Sequence, residues 1–215
     1  MQNTMMLVSI RPLERVTFEA LSDRLAEFIA ALGLESAHLV GQSIGGMIAL
    51  EHVCRQPDQV ASLSLVATTP RFGGRDDAFK EAFLEARLGP LDAGETMEDM
   101  ARGAAPALVG PNCPVTEIKA IEAAMARVPE DTWRAILTCL VTFDRVDALA
   151  KINLPTLVVA GSADRNAPAR TMEKMAAAIP AAAFHEITGA GHMLQQEMPE
   201  AFNALLNDFL KGVSK

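Results

Sequence analysis

The spacing of apolar residues along the chain switches between a helical period and short continuous runs. From residue 18 to residue 32, apolar side chains recur at steps of three and four with charged residues between them, which predicts an amphipathic helix. Thr17 is the expected N-cap of this helix and Gly33 its expected stop. The run AHLVG at 37–41 has the length and composition of a buried strand. The pattern therefore predicts a helix followed by a strand.

The same alternation continues through much of the rest of the chain. Further strands are predicted at 63–67, 156–160 and 183–187, and helices at 47–56, 169–179 and about 200–210. Strands that alternate with helices form a mostly parallel sheet with helices on both faces. We therefore predict an α/β fold.

The segment from about 71 to 149 departs from this pattern. Strand-like runs disappear there, and helical segments are interrupted at Gly89-Pro90, Gly110-Pro111 and Cys113-Pro114. A chain of 215 residues is long enough for one well-filled core and short for two. We predict a single domain over 1–215, with about 71–149 as a helical lid inserted between two strands.

Three polar residues each follow a different predicted strand. Ser43 lies in GQSIG, where small neighbours allow a sharp turn from strand to helix, whereas Asp164 lies in GSADRNAP and His192 in GAGHM. The carboxyl ends of parallel strands meet at one edge of a sheet, so we expect the three side chains to lie close together. A serine hydroxyl becomes an effective nucleophile only with a base and a group that orients the base. Histidine and aspartate are residue types that fit those two roles.

In these motifs the sequence resembles proteins of the α/β-hydrolase fold. The resemblance runs from about Thr17 to the C-terminus and is most specific in TFEALSDRLAEFIAALGLESAHLVGQSIGGMIAL, LPTLVVAGSADRNAP and ITGAGHMLQQEMPEAFN. It implies that Ser43 is the nucleophile, His192 the general base and later the general acid, and Asp164 the residue that orients the imidazole. It also implies that the backbone N–H of Ile44 donates a hydrogen bond to the oxyanion.

Four further residues are expected to contact the substrate. Gln42 and Met193 are sequence neighbours of the serine and the histidine, and Trp133 and Phe143 are the aromatic candidates in the lid. An aromatic residue at helical spacing is more often part of the core than of a pocket, so a core position is the alternative for the two lid residues.

Other polar residues offer alternative assignments. Asp144 is a possible replacement for the acid, since some members of the family move that residue, but Asp164 directly follows a strand end and is preferred. The remaining histidines are expected to be packing or surface residues: His38, His52 and His185.

Among subfamilies, the chain looks most like the 3-oxoadipate enol-lactonases and related small carboxylesterases. The GGM after the serine turn, the helical lid and the overall spacing carry this resemblance. It implies hydrolysis of a small ester or lactone through an acyl-enzyme, without a cofactor. A serine at the turn argues against the epoxide hydrolases and haloalkane dehalogenases, which use aspartate there. Carbon–carbon bond hydrolases, cofactor-free perhydrolases and an inactive relative that serves as an oligomeric interaction protein stay open as alternatives.

The N-terminal segment departs from the family pattern. Only 16 residues precede the first helix, where the family has several strands and a loop, often with His-Gly, that donates a second oxyanion N–H. Loss of one such donor slows a reaction by roughly 100- to 1000-fold. The run Met5–Ile10 is a candidate for one strand, and the strand Ala37 to Val40 is expected to have an unpaired edge. We expect either that Met1 is internal to a longer gene product or that a shortened protein forms a homo-oligomer through this edge.

Composition and charge narrow the possible partners and the location. The net charge is -8 and the basic residues are scattered, which argues against nucleic-acid binding. The three cysteines, Cys54, Cys113 and Cys139, lack the spacing of a disulfide framework or a zinc site. The N-terminal apolar run is too short for a signal peptide, and no run of eighteen apolar residues suggests a membrane span. We therefore expect a cytoplasmic protein that binds a small molecule.

Overall fold

The computed structural model describes residues 15–72 and 77–213. Helices and strands follow in the order α1 (Phe18–Ala31), β1 (Ala37–Gln42), α2 (Ile44–Arg55), β2 (Val60–Val66), α3 (Asp77–Asp92), α4 (Met97–Ala104), α5 (Val115–Ala126), α6 (Glu130–Leu140), β3 (Thr156–Gly161), α7 (Ala169–Ala177), β4 (Ala182–Ile187), α8 (Leu194–Glu197) and α9 (Pro199–Val213). Short 3₁₀ turns connect some of them. The run Met5–Ile10, a candidate strand, lies outside the described residues.

The described strands form one sheet in the order β1-β2-β3-β4, with every neighbouring pair parallel. Every residue of β3 is buried, because this strand lies inside the sheet and has both faces covered. The register places Gln42 beside Val66 and Gly161 beside Ile187, so the strands end at a common edge. The predicted parallel α/β sheet is confirmed.

Helices cover both faces of this sheet. On one face, α1, α2 and α7 pack over a cluster that includes Ile29, Leu50, Leu63, Val158 and Met172. On the other face, α9 packs over a smaller cluster that includes Leu157, Val159, Ile187, Leu194 and Phe202. Burial of these apolar side chains holds the strand ends in fixed positions, which is what a site at that edge needs.

The first helix begins and ends where its sequence signals predict. The side chain of Thr17 accepts a hydrogen bond from the backbone N–H of Ala20 at 3.1 Å, which satisfies one free donor at the start of α1. After Leu32, the chain turns at Gly33 with a φ of +68°, a left-handed conformation that glycine adopts without strain. The turn leads directly into β1.

The chain between β2 and β3 is helical in its described parts, with α3, α4, α5 and α6. Its two ends are joined by an isolated antiparallel bridge between Arg71 and Asp144. Their side chains also form an ion pair with an Nε to Oδ2 distance of 2.6 Å. Asp144 is therefore engaged at the base of the insertion rather than as the acid of the site.

The expectation that Phe143 faces a substrate is wrong. Its side chain is 3 % exposed and belongs to the main core, where its ring centroid lies 4.5 Å from that of Phe18 in α1. The physical reason is its position after α6, where the chain returns to the sheet and buries its apolar residues against α1.

Strand β1 lies at one edge of the described sheet. Within residues 15–72 and 77–213 it pairs with β2 on one side only, and Val40 on this strand is 47 % exposed. Self-association through this edge stays a prediction, which light scattering over a range of protein concentrations would test. No helix in the described part of the chain is long and apolar enough to cross a membrane.

Candidate active site

The turn that carries Ser43 is strained and firmly held. Ser43 has a φ of 53° and a ψ of -122°, a conformation that non-glycine residues rarely adopt. Its backbone N–H donates to the carbonyl of Val66 at 2.9 Å, and its carbonyl accepts from the hydroxyl of Thr68 at 2.7 Å. The turn between β1 and α2 is thus fixed to the neighbouring strand, and its side chain faces the cavity at the strand ends.

The glycines around Ser43 have different structural roles. A Cβ on Gly41 would overlap the carbonyl of Gly45, and a Cβ on Gly46 would lie 2.7 Å from the Cβ of Thr68. A Cβ on Gly45 would meet no atom within 4 Å. The turn therefore needs glycine at 41 and 46, although the sequence motif draws attention to 41 and 45.

The structure brings Ser43, His192 and Asp164 together in one chain of hydrogen bonds. The hydroxyl of Ser43 lies 3.0 Å from Nε2 of His192, and Nδ1 of His192 lies 2.8 Å from Oδ2 of Asp164. An ionised carboxylate only accepts hydrogen bonds, so Nδ1 carries the ring proton and donates a hydrogen bond to Asp164. Nε2 is then free to accept the hydrogen of the serine hydroxyl.

The side chain of Asp164 is buried next to the imidazole. Burial alone would raise the pKa of its carboxyl group, but the hydrogen bond and charge of His192 and the N–H groups of Ala167 and Asn166 outweigh burial and lower that pKa. Oδ1 accepts from these N–H groups at 3.0 Å and 2.7 Å. The carboxylate therefore stays ionised and accepts the hydrogen bond from Nδ1 of His192.

Glu197 is a residue of the site that the sequence motifs do not identify. Its carboxylate accepts hydrogen bonds from the backbone N–H groups of Gly110 at 2.6 Å, Gly191 at 3.0 Å and Met193 at 3.2 Å. It therefore fixes both neighbours of His192 and ties their loop to the insertion. A sequence signal exists, because an acid stands five residues after the histidine, but spacing alone does not show that it faces backbone donors.

The backbone of His192 is held from two further directions. Its N–H donates to the carbonyl of Leu108 at 2.7 Å. Its carbonyl accepts from the side-chain amide of Gln42 at 3.0 Å. Gln42, expected to contact the substrate, therefore also positions the general-base candidate, and the insertion contributes to the same task.

The hydrogen-bonded chain opens into a cavity of about 630 Å³. Ser43 and His192 lie at its floor, and side chains from α3, α5 and α6 form its roof. Of the other residues expected to contact the substrate or oxyanion, Gln42, Ile44, Trp133 and Met193 line it, whereas Phe143 does not. Most of the remaining lining is apolar, with two arginines, Arg87 and Arg165, that the sequence analysis did not single out.

The remaining histidine and cysteine side chains do not form a second reactive cluster in the described residues. His52 is fully buried and its Nδ1 lies 3.1 Å from the hydroxyl of Ser22, and burial lowers the pKa of its imidazole. Burial raises the pKa of the Cys139 thiol to about 11. Within residues 15–72 and 77–213, no group of three or more His, Cys, Asp or Glu side chains is arranged to hold a metal ion.

Comparison with known proteins places the chain in a family. A model of the alpha/beta hydrolase family matches residues 10–205, so the chain belongs to this family. The chain is 29% identical over 211 residues to a putative carbamate hydrolase, RutD, of Caulobacter vibrioides, covering 95% of this chain and 76% of that relative. It also matches the solved structure of a thermophilic esterase from Thermogutta terrifontis with a TM-score of 0.82 and 28% identity, covering 96% of this chain and 76% of that one.

The resemblance to enol-lactonases is confirmed at the level of the fold. The enol-lactonase of Burkholderia xenovorans matches with a TM-score of 0.83, covering 93% of this chain and 75% of that chain, but only 22% of the residues are identical. The comparisons thus support a hydrolase acting on esters and related bonds in general, and they do not select the lactonases.

Proposed function

We propose that the protein is a serine hydrolase that cleaves a carboxylic ester or lactone through an acyl-enzyme. Ser43 is the nucleophile, His192 the general base and acid, and Asp164 the orienting carboxylate. The observation that carries the proposal is the hydrogen-bonded chain of these three side chains at the floor of an apolar cavity. The likeness to an esterase at 28% identity supports the same class of reaction.

In the first half of the reaction, the hydroxyl oxygen of Ser43 attacks the substrate carbonyl carbon while His192 takes the hydroxyl proton. The buried carboxylate of Asp164 stabilises the imidazolium that results. Negative charge develops on the carbonyl oxygen next to the start of α2. The N–H of Ile44, as the first of that helix, has no helical carbonyl to bond and is available to that oxygen.

In the second half, the imidazolium of His192 gives its proton to the leaving alcohol oxygen as the bond from carbon to that oxygen breaks. For a lactone, this alcohol stays attached to the acyl group. Water then attacks the acyl-enzyme carbonyl carbon, His192 takes a proton from it, and the same proton returns to the oxygen of Ser43 as the carboxylic acid leaves. No cofactor is needed for these steps.

The helices α3 to α6 are proposed as the lid that selects the substrate. Of these helices, α3, α5 and α6 enclose with the floor a cavity of about 630 Å³, which suits a small molecule. The apolar side chains of this roof exclude water from the reacting carbonyl and strengthen the hydrogen bonds at the floor. Trp133 and Met193 are proposed contacts of the bound acyl group.

A fluorophosphonate probe tests the nucleophile directly. The probe is expected to label Ser43 in the folded protein and to leave Ser43→Ala unlabelled. Turnover of a short p-nitrophenyl ester is expected to fall to background in both Ser43→Ala and His192→Ala. Equal labelling of Ser43→Ala, or no turnover by well-folded protein, would contradict the proposal and favour the alternative of an inactive interaction protein.

Carbamate hydrolysis is a second candidate because of the likeness to RutD. A carbamate would pass through a carbamoyl-enzyme, whose nitrogen lone pair makes its carbonyl less reactive toward water. We therefore expect a p-nitrophenyl N-methylcarbamate to give one burst of nitrophenolate and then a slow rate, while the acetate ester turns over continuously. Continuous turnover of the carbamate at the rate of the ester would favour the second candidate.

A further inference from the structure

Arg87 places a guanidinium group in the roof of the cavity. It lies on α3 and lines the same cavity as Ser43 and His192. Its guanidinium carbon lies over the Phe83 ring, 3.7 Å from the ring centre, which is within the range of a cation–π contact. Its Nη1 donates one long hydrogen bond of 3.4 Å to the carbonyl of Phe83. A guanidinium has five N–H donors, so most of its donors are unused by these contacts.

Arg87 has no carboxylate partner among the described residues. Six other arginines in the described part of the chain form ion pairs with aspartate or glutamate: Arg24, Arg55, Arg71, Arg102, Arg134 and Arg145. Among residues 15–72 and 77–213, no aspartate or glutamate lines the cavity, although the chain has 27 acidic and 19 basic residues. Burial lowers the pKa of the Arg87 guanidinium, and no carboxylate of the described residues acts in the opposite direction. A half-buried cation without a partner is costly for the protein, so a ligand anion would relieve it.

The unused donors of Arg87 suit a planar anion. The contact with Phe83 uses no N–H donor beyond the long bond from Nη1, so most of the donors at the edge of the guanidinium remain for a ligand. That edge presents parallel N–H groups at the spacing of the two oxygens of a carboxylate. A neutral acyl chain in this cavity would leave those donors without acceptors.

We propose that Arg87 binds a carboxylate of the substrate, so that the preferred substrate is an ester or lactone with a carboxylate at the end away from the scissile bond. A monoester of a dicarboxylic acid is the simplest compound of this class. The assignment of the scissile bond rests on the proposed function. The carboxylate itself is not transformed, because Arg87 only binds it and thereby places the carbonyl over Ser43.

Matched pairs of substrates test this preference. Monomethyl esters of dicarboxylic acids with four to eight carbons are compared with methyl esters of monocarboxylic acids of equal chain length, with turnover followed by proton release. For the best chain length, kcat/KM is expected to be at least about tenfold higher for the anionic ester, since a charge-assisted hydrogen bond contributes about one to two factors of ten. Arg87→Gln is expected to lower that ratio by about tenfold or more, and Arg87→Lys to keep part of it.

Two other arginines serve as matched comparisons. Arg127 lies at the end of α5, is exposed and does not line the cavity, so Arg127→Gln is expected to leave the ratio unchanged. Arg165 is exposed and lines the cavity, so it is the competing candidate for the carboxylate. Loss of the ratio in Arg165→Gln, with the ratio intact in Arg87→Gln, would overturn the assignment.

A binding measurement separates this inference from the proposed function. Trp133 is the only tryptophan of the chain and lines the cavity, so its fluorescence reports a bound ligand. In a Ser43→Ala background, a monomethyl dicarboxylate is expected to bind at least about tenfold more tightly than its neutral counterpart, and Arg87→Gln to remove the difference.

Equal binding of the two ligands, or ester turnover without preference for the anionic ester, overturns the role of Arg87 while the serine mechanism stands. Tight binding of the anion by a protein whose Ser43 is unreactive supports the subsite and contradicts the proposed function.

Discussion

The floor and the roof of the cavity differ in how their polar groups are hydrogen-bonded. At the floor, the polar side chains of Ser43, His192 and Asp164 bond to one another, and further bonds hold their backbones. In the roof, most side chains are apolar, and the indole N–H of Trp133 is buried without a hydrogen-bond partner among the described residues. The polar side chains of the floor are hydrogen-bonded to one another before any ligand binds. Some donors in the roof have no acceptor among the described residues.

This difference separates reaction from recognition. A reacting group must be held to a fraction of an ångström before substrate arrives, so its bonds are internal to the protein. A group that recognises the substrate must hydrogen-bond to a molecule that has not yet bound, so its donors have no partner in the free protein. Changes at the floor should therefore remove the reaction, and changes in the roof should alter which molecule is accepted.

The largest expected effect comes from Asp164→Asn. An asparagine amide can donate to Nδ1 of His192, which favours the ring tautomer whose Nε2 cannot accept the serine proton. We expect kcat to fall by about 10⁴-fold with the fold retained. Steady-state kinetics on a p-nitrophenyl ester, with circular dichroism as the control for folding, measure this. A loss of less than tenfold would show that Asp164 does not act as the acid of this site.

Glu197→Ala is expected to have the next largest effect. The change leaves the N–H groups of Gly110, Gly191 and Met193 without their acceptor, which should lower the free energy of unfolding by about 1 to 3 kcal/mol. The displaced imidazole should lower kcat by about tenfold to a hundredfold with little change in KM.

Glu197→Gln separates positioning from simple destabilisation, because its one carbonyl oxygen still accepts and should restore part of kcat. Glu200→Gln, which alters an exposed carboxyl at the start of α9, is the matched control and should behave as the parent protein. A fall in kcat for Glu197→Ala that the glutamine does not reduce would argue against a positioning role.

Alanine substitutions at the two glycines of the serine motif should differ sharply in their effect on the free energy of unfolding. Gly41→Ala places a Cβ against the carbonyl of Gly45 and should lower the free energy of unfolding by about 1 to 3 kcal/mol. Gly45→Ala adds a methyl group in open space within α2 and should be neutral or stabilise by up to about 1 kcal/mol. Urea unfolding measures both, and equal losses would mean that the crowding at Gly41 does not control the turn.

Low pH should lower the free energy of unfolding because the carboxylate of Asp164 becomes protonated. The pKa of its carboxyl is lowered in the folded protein, so its contribution to stability is fully present above its unfolded pKa of about 4 and is lost as the pH falls through the lower folded value. The difference in unfolding free energy between the parent and Asp164→Asn should therefore shrink between pH 5 and pH 2. A constant difference over that interval would place the acid-sensitive group elsewhere.

The smallest expected effect is that of Trp133→Phe in the roof. It removes an indole N–H that has no acceptor among the described residues and keeps an aromatic ring in place. The free energy of unfolding should change by less than about 1 kcal/mol, since no hydrogen bond is lost. A larger loss in thermal or urea unfolding would show that this N–H is bonded in solution.

The arrangement of the floor could be predicted from the sequence because each of its elements is specified locally. Thr17 and Gly33 mark the ends of α1, and the apolar runs mark the strands. Parallel strands then bring Ser43, Asp164 and His192 to one edge without any knowledge of side-chain contacts. Their catalytic roles stay predictions until the kinetic tests are made.

The roof could not be predicted in the same way. Which side of a lid helix faces a cavity depends on how the helices pack on one another, and single residues do not specify that packing. Phe143, expected in the roof, lies in the core, while Arg87 lines the cavity without a sequence signal. Glu197 stands at a visible spacing from His192, but its three backbone partners appear only in the folded chain.

The hydrogen bonds of the segment 108–110 to the histidine loop have a consequence for the timing of the reaction. If this segment moved outward to admit a ligand, the bond from His192 to Leu108 and the bond from Gly110 to Glu197 would break together. The imidazole would lose its alignment during each such opening and regain it on closure. Proton transfer would then occur only in the closed state, and the closing rate would set an upper limit on turnover.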